Sequence, residues 1–111
     1  MFTLDRRKIE QLVKDLPEFQ RKVLLKVCEI PLGEVRSYKW VAEQIGEPKK
    51  VRQVGWALSK NPYPFFIPCH RVIRSDGSLG GYTFGVELKR YLLDLEKRVK
   101  SVIMMKKERK L

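Results

Sequence analysis

The 111-residue chain has only two cysteines and one histidine, and that scarcity removes several function classes at once. Cys28 and Cys69 are too few for a disulfide framework, and with His70 as the single imidazole a Cys/His zinc site cannot be assembled at ordinary ligand spacing. The reading is therefore no metal and no cofactor. Long apolar runs are also absent. No stretch approaches the ~18 apolar residues of a membrane span, and the first residues, MFTLDRRKIEQ, lack the apolar run of a signal peptide. The expectation is a soluble intracellular protein, cytoplasmic, or nuclear in a eukaryote, where thiols stay reduced. Acidic residues are scarce too, 13 against 24 Lys and Arg, which leaves a formal charge of +11 on 13.1 kDa. Such an excess points to a polyanionic partner, nucleic acid first, although a basic face that only confers solubility fits the charge taken alone.

What is present suffices for one domain. Hydrophobic residues make up 43% of the chain and charged residues 33%, enough to bury a single core and too aliphatic for a disordered tail. The positive charge is uneven. Residues 97–111 hold seven basic residues and one acid, so +6 of the +11 lies there, as in a solvated tail. Residues 36–74 hold eight basic residues against Glu43 and Glu47, a second basic region inside the fold.

Apolar spacing supplies the elements. Ile9, Leu12, Val13 and Leu16 recur at i, i+3, i+4, i+7 and predict an amphipathic helix over 5–16, ended by Pro17. Phe19, Val23 and Val27, with Leu24 and Cys28 beside them, predict a second over 18–29, which makes Cys28 a core residue. Ser37 is a good N-cap for a two-turn helix that Gly46 stops. Pro48 suits the first turn of a further helix ending near Asn61 and Pro62. Two short helices across a Gly-containing turn, the second of them basic, outline a helix-turn-helix. Residues 62–87, with Pro62, Pro64, Pro68, Gly77, Gly80, Gly81 and Gly85, read as an ordered loop with at most a small hairpin. From Val86 on, Leu88, Leu92, Leu95, Val99 and Val102 predict a packing helix that runs into the basic tail.

Cys69 lies in FFIPCHRVI with His70 next to it. Adjacent residues of an extended segment point to opposite sides, and a Cys among apolar neighbours also fits simple packing. Against that, three prolines stiffen the approach, and Arg71 and Arg74 supply charge that would favour a thiolate nucleophile.

IPCHRV at 67–72 resembles the active-site signature of the O6-alkylguanine-DNA alkyltransferases, the methylated-DNA–protein-cysteine methyltransferases. GEVRSY (33–38) is similar to that family's segment leading to its active-site tyrosine, VRQVGWALSKNP (51–62) to its recognition helix, and SDGSLGGYTFGVELKRYLLDLE (75–96) to its closing loop and final helix. The resemblance implies a mainly α fold: a small helical bundle with a winged-helix-like helix-turn-helix and an ordered active-site loop. It also implies one catalytic, DNA-binding domain over 1–96, with 97–111 as a basic extension. Cys69 would take the alkyl group irreversibly, His70 would draw its proton through a water, Glu96 would orient the imidazole, and Tyr38 would protonate the departing guanine. Arg52 would fill the gap left by a flipped nucleotide. Gly55 and Ala57 would keep the recognition helix slim enough for the minor groove, with Ser37 and Asn61 completing the DNA-binding set. Tyr82, the carbonyl of Val72 and the N–H of Thr83 would line the guanine pocket. The implied partner is double-stranded DNA carrying O6-alkylguanine, bound by a monomer.

The chain departs from that pattern in places. The seventeen residues before the matching region are too few for the N-terminal domain that most members carry. Gln53 and Trp56 are larger than the small residues common at those places, Trp56 being a possible core residue, and Thr83 stands where serine is common. Competing readings are a non-catalytic relative that binds alkylated DNA, a helix-turn-helix transcription regulator with an accidental PCHRV, and, least supported, a cysteine hydrolase. The first requires the signature cysteine to be replaced, and here Cys69 is present.

Overall fold

The computed structural model describes residues 5–64 and 66–109. Helix α1 (Arg6–Val13) opens on Asp5, whose side chain accepts the Lys8 N–H at 2.9 Å. It stops earlier than the apolar spacing predicts. Pro17 disfavours helical backbone at the residue before it, so the last turn tightens into a Leu16 N–H bond to the Val13 carbonyl. Helix α2 (Glu18–Val27) buries Val23, Leu24 and Val27 completely.

After strand β1 (Arg36–Ser37) comes helix α3 (Tyr38–Gln44), capped as expected by Ser37, whose Oγ accepts the Trp40 N–H at 2.9 Å. Gly46, at φ +77°, ends it, with the Glu47 N–H bonded to the Ala42 carbonyl and the Gly46 N–H to that of Glu43. This is the left-handed glycine stop of a Schellman motif. Pro48 does not open the next helix. It sits in a turn closed by the Lys50 N–H and the Glu47 carbonyl, and helix α4 begins one turn later (Val51–Ser59). Helix α4 packs on α2 and α3 through Val54, Ala57 and Leu58, so the helix-turn-helix outline is present and its inner side is the centre of the core.

A single 3-10 turn (Cys69–Arg71) leads into strand β2 (Val72–Ile73), which pairs in parallel with β1, Arg36 opposite Val72 and Ser37 opposite Ile73. The loop residues therefore find their strand partner more than thirty residues upstream, and no hairpin forms among the described residues of 62–87. Locally there is only a turn, with the Arg74 N–H on the Ser78 carbonyl and Asp76 accepting the Ser78 N–H.

Helix α5 (Val86–Arg109) runs unbroken past Glu96, about 36 Å in all. Its predicted apolar stripe is only partly realised: Leu88, Leu92, Leu95 and Val99 are half-buried and Val102 is exposed. The side chains it buries fully are charged, Lys89 and Glu96. The protein is mainly helical, and among the described residues no helix is long and apolar enough to cross a membrane.

Candidate active site

The approach to Cys69 is shaped by Asn61. Its Oδ1 accepts the Tyr63 N–H at 2.8 Å and its Nδ2 donates to the Ile67 carbonyl at 3.1 Å, closing the turn between α4 and the cysteine. The same side chain hydrogen-bonds the Cys69 thiol. Cys69 is buried, and burial pushes its pKa up, opposed by Asn61 and by the charge of Lys89. Because Cys69 and His70 share a 3-10 turn rather than an extended segment, their side chains project about 120° apart instead of oppositely.

Behind the cysteine lies a closed ionic group. His70 Nε2 is 2.8 Å from Glu96 Oε2, and Arg71 grips the same carboxylate through Nε and Nη2, each at 2.9 Å, while its Nη1 donates to the Ile30 carbonyl at 2.8 Å. Burial alone would raise the pKa of Glu96, but the hydrogen bonds from His70 and Arg71 outweigh it and bring the carboxyl down to about 2. An ionised Glu96 fixes the proton on Nε2 and leaves Nδ1 a lone-pair acceptor. Nδ1 is buried with no hydrogen-bond partner among the described residues. Arg71 is thus committed to Glu96, and the cation that acts on Cys69 is Lys89, which nothing in the apolar pattern singled out.

Lys89 is fully buried. Its ammonium donates to the carbonyls of Leu79 and Gly81, the latter at 3.1 Å, and at 3.4 Å to the hydroxyl of Tyr38. Burial lowers its pKa to about 8. A phenol that accepts from an ammonium keeps its own proton free to donate. Gly80 completes this corner: it stands at φ +72°, and a Cβ there would lie 2.9 Å from the Tyr38 hydroxyl, so only glycine lets the loop lie on the ring. The seven-residue interval between Lys89 and Glu96, which puts both on one helical face, is the signal by which the lysine could have been found.

A cavity of about 830 Å³ opens in front of these groups, lined among others by Tyr38, Arg52, Gly55, Cys69, Arg74, Tyr82 and Thr83. Six of the expected site residues therefore converge, with His70 and Glu96 packed beneath. The Tyr82 hydroxyl is buried without a partner among the described residues, and burial pushes its pKa up to about 12. Thr83 reaches across to the Ser59 carbonyl in a long hydrogen bond of 3.5 Å. Other expected residues do not reach the cavity. Ser37 caps α3, Asn61 is a buried turn residue and Val72 is wholly buried in β2. Ala57, two residues round the helix from Gly55, is turned into the core at 1% exposure, whereas Trp56, a candidate for the core, stands outside at 66%. Among the described residues no group of three His, Cys, Asp or Glu side chains is placed to hold a metal ion.

Residues 18–98 match the family model described as 6-O-methylguanine DNA methyltransferase, DNA binding domain. The chain belongs to this family. Among its methyltransferase relatives, the methylated-DNA–protein-cysteine methyltransferase of Methanosarcina barkeri is 52% identical over 79 residues, 71% of this chain and 50% of that protein. In structure, Mycobacterium tuberculosis OGT in complex with DNA superposes with a TM-score of 0.73 at 48% identity, covering 74% of this chain and 51% of that one. An S. pombe protein in complex with damaged DNA containing O6-carboxymethylguanine gives 0.64 at 36% identity over 71% of this chain and 75% of that one. The chain spans about half the length of the curated methyltransferases it matches.

Proposed function

We propose that the protein repairs DNA by moving the alkyl group of O6-alkylguanine onto its own Cys69, once per molecule. The observation that carries this reading is the meeting, around one open cavity, of a buried thiol, a Tyr38 phenol and a His70–Glu96 pair. A buried thiol with a raised pKa is not a standing thiolate and needs a base. His70 Nδ1 takes the proton from Cys69 through a water, and Glu96, kept ionised by Arg71, stabilises the imidazolium that results. Sγ then forms a bond to the alkyl carbon in line with the breaking C–O6 bond, and the electron pair of that bond stays with guanine. Tyr38 gives the base its proton and is recharged from the side of Lys89. The thioether on Cys69 has no route back, so the protein is consumed.

Duplex DNA is the proposed partner, bound through the minor groove by the outer face of α4. A base within a stack cannot reach a buried thiol, so it is flipped into the cavity and Arg52 takes its place at the mouth. Thr83 contributes its backbone N–H to the guanine, with Tyr82 as a wall. The basic residues of 97–111 add salt-dependent, sequence-independent affinity. The protein works as a monomer in the cytoplasm, or in the nucleus of a eukaryotic cell. Intact mass after mixing with O6-methylguanine duplex decides the matter. One alkyl group per chain, lost in Cys69→Ser, is the expected result. Binding without any mass gain would leave a non-catalytic sensor of alkylated DNA, and repeated turnover would exclude the mechanism.

A further inference from the structure

The side of α4 next to the cavity carries, beyond Arg52, two exposed residues that the alkyl transfer does not use. Arg52, Trp56 and Lys60 follow one another at intervals of four residues and so form one exposed ridge about 12 Å long. Trp56 is 66% exposed, which is unusual for the most costly apolar surface a small domain can leave in water. The Lys60 ammonium lies 5.7 Å from the centre of its ring. Helix α4 carries no acidic residue, so the ridge offers an aromatic face between two cations and nothing that would repel a phosphate. Alternation of cation and aromatic face is the pattern that holds unpaired nucleotides, in which every base has a π-face to stack and every link has a charge to neutralise. The ridge begins at Arg52, which also lines the cavity, so it leads to the mouth of the site.

We propose that Trp56 is a stacking platform for an unpaired base of the DNA strand beside the extruded nucleotide, and that it gives this protein affinity for single-stranded DNA whether or not the DNA is alkylated. The inference rests on the reading that the outer face of α4 meets DNA. It is independent of alkyl transfer, because its test uses unmodified DNA.

The wild-type protein, W56F, W56A and K60A are titrated with a short dye-labelled oligothymidine at two salt concentrations, and intrinsic fluorescence is followed in parallel. The wild type should bind with quenching of tryptophan emission. W56A should bind about 5- to 150-fold more weakly with an unchanged salt slope, since no charge is lost. W56F should recover most of the affinity, and K60A should lower the log-log salt slope by about 0.7. Trp40 remains in both Trp56 variants, so quenching that persists undiminished in W56A would overturn the proposal. Equal affinities of wild type and W56A would also overturn it and would turn the ridge over to a protein partner. Equal losses in W56F and W56A would remove stacking as the cause. Transfer from free O6-benzylguanine should be unchanged in all variants, and its loss in W56A together with DNA affinity would place Trp56 in the fold and refute the platform. A wild type that binds and quenches on oligothymidine but transfers no alkyl group would sustain this inference while the proposed repair reaction falls.

Discussion

Replacing Glu96 by Gln keeps the shape of the side chain and removes its charge, which separates the ionic role of this residue from its packing. In the native protein the carboxylate is 1% exposed and satisfies both His70 and Arg71. Its pKa lies at about 2 against an ordinary 4.5. At about 1.4 kcal/mol per pH unit, that gap corresponds to about 3 kcal/mol of stability. The folded pKa is the lower one, so the contribution is complete above pH 4.5 and disappears as the pH falls toward about 2. Glu96→Gln should therefore unfold at lower urea than the wild type at pH 7, by about 3–5 kcal/mol once the stranded Arg71 guanidinium is counted. The gap should narrow steadily between pH 4.5 and pH 3. Transfer from free O6-benzylguanine should slow by about 10²- to 10⁴-fold, because the imidazole loses the group that fixes its tautomer and stabilises its charge. A stability gap that is the same at pH 7 and pH 3, or transfer at the wild-type rate, would refute the assignment of an ionised, orienting Glu96.

Three further perturbations address the remaining parts of the site. Lys89→Met removes a buried cation while leaving the carbonyls of Leu79 and Gly81 without its ammonium, so stability measured by urea should change by no more than about 2 kcal/mol, whereas single-turnover transfer should drop about 10²-fold as Tyr38 loses its donor. Because the Lys89 pKa is lowered to about 8, wild-type stability should rise between pH 8 and the ordinary lysine value of 10.5, and the Met variant should lack that rise. Arg52→Ala should slow transfer from duplex DNA strongly, from single-stranded DNA less and from the free base hardly at all, and an equal loss on duplex and free base would give Arg52 a structural role. Gly80→Ala forces a side chain into a left-handed backbone 2.9 Å from the Tyr38 hydroxyl, so a loss of about 1–2 kcal/mol with impaired transfer is expected from denaturation and single-turnover assays.

Local rules acting on neighbouring residues were enough to read much of this protein from its chain. Ser37 caps and Gly46 stops α3 because capping and left-handed backbone are matters of a few consecutive residues, and the four-residue apolar spacing of Phe19, Val23 and Val27 in α2 needs no partner to be recognised. The signature around Cys69 and the separate motifs at 33–38, 51–62 and 75–96 were enough to suggest the family, because their chemistry is carried by residue type and order. What the chain alone left open depended on distant segments meeting. Pairing of Arg36 with Val72 replaced a local hairpin, since a strand edge bonds whatever backbone the packed helices bring to it. The apolar stripe of α5 gave no sign of Lys89, and only the resemblance singled out Glu96, yet these two are the buried ones, because Tyr38, His70 and Arg71 from other elements offer them partners that water would otherwise supply. Trp56 looked like a core candidate and stands in solvent, since only the packing of α4 on α2 and α3 decides which side of that helix faces in. Burial of a charge and exposure of an aromatic both run against transfer free energies, so their placement follows from the partners that tertiary structure supplies and from no property of the residue itself.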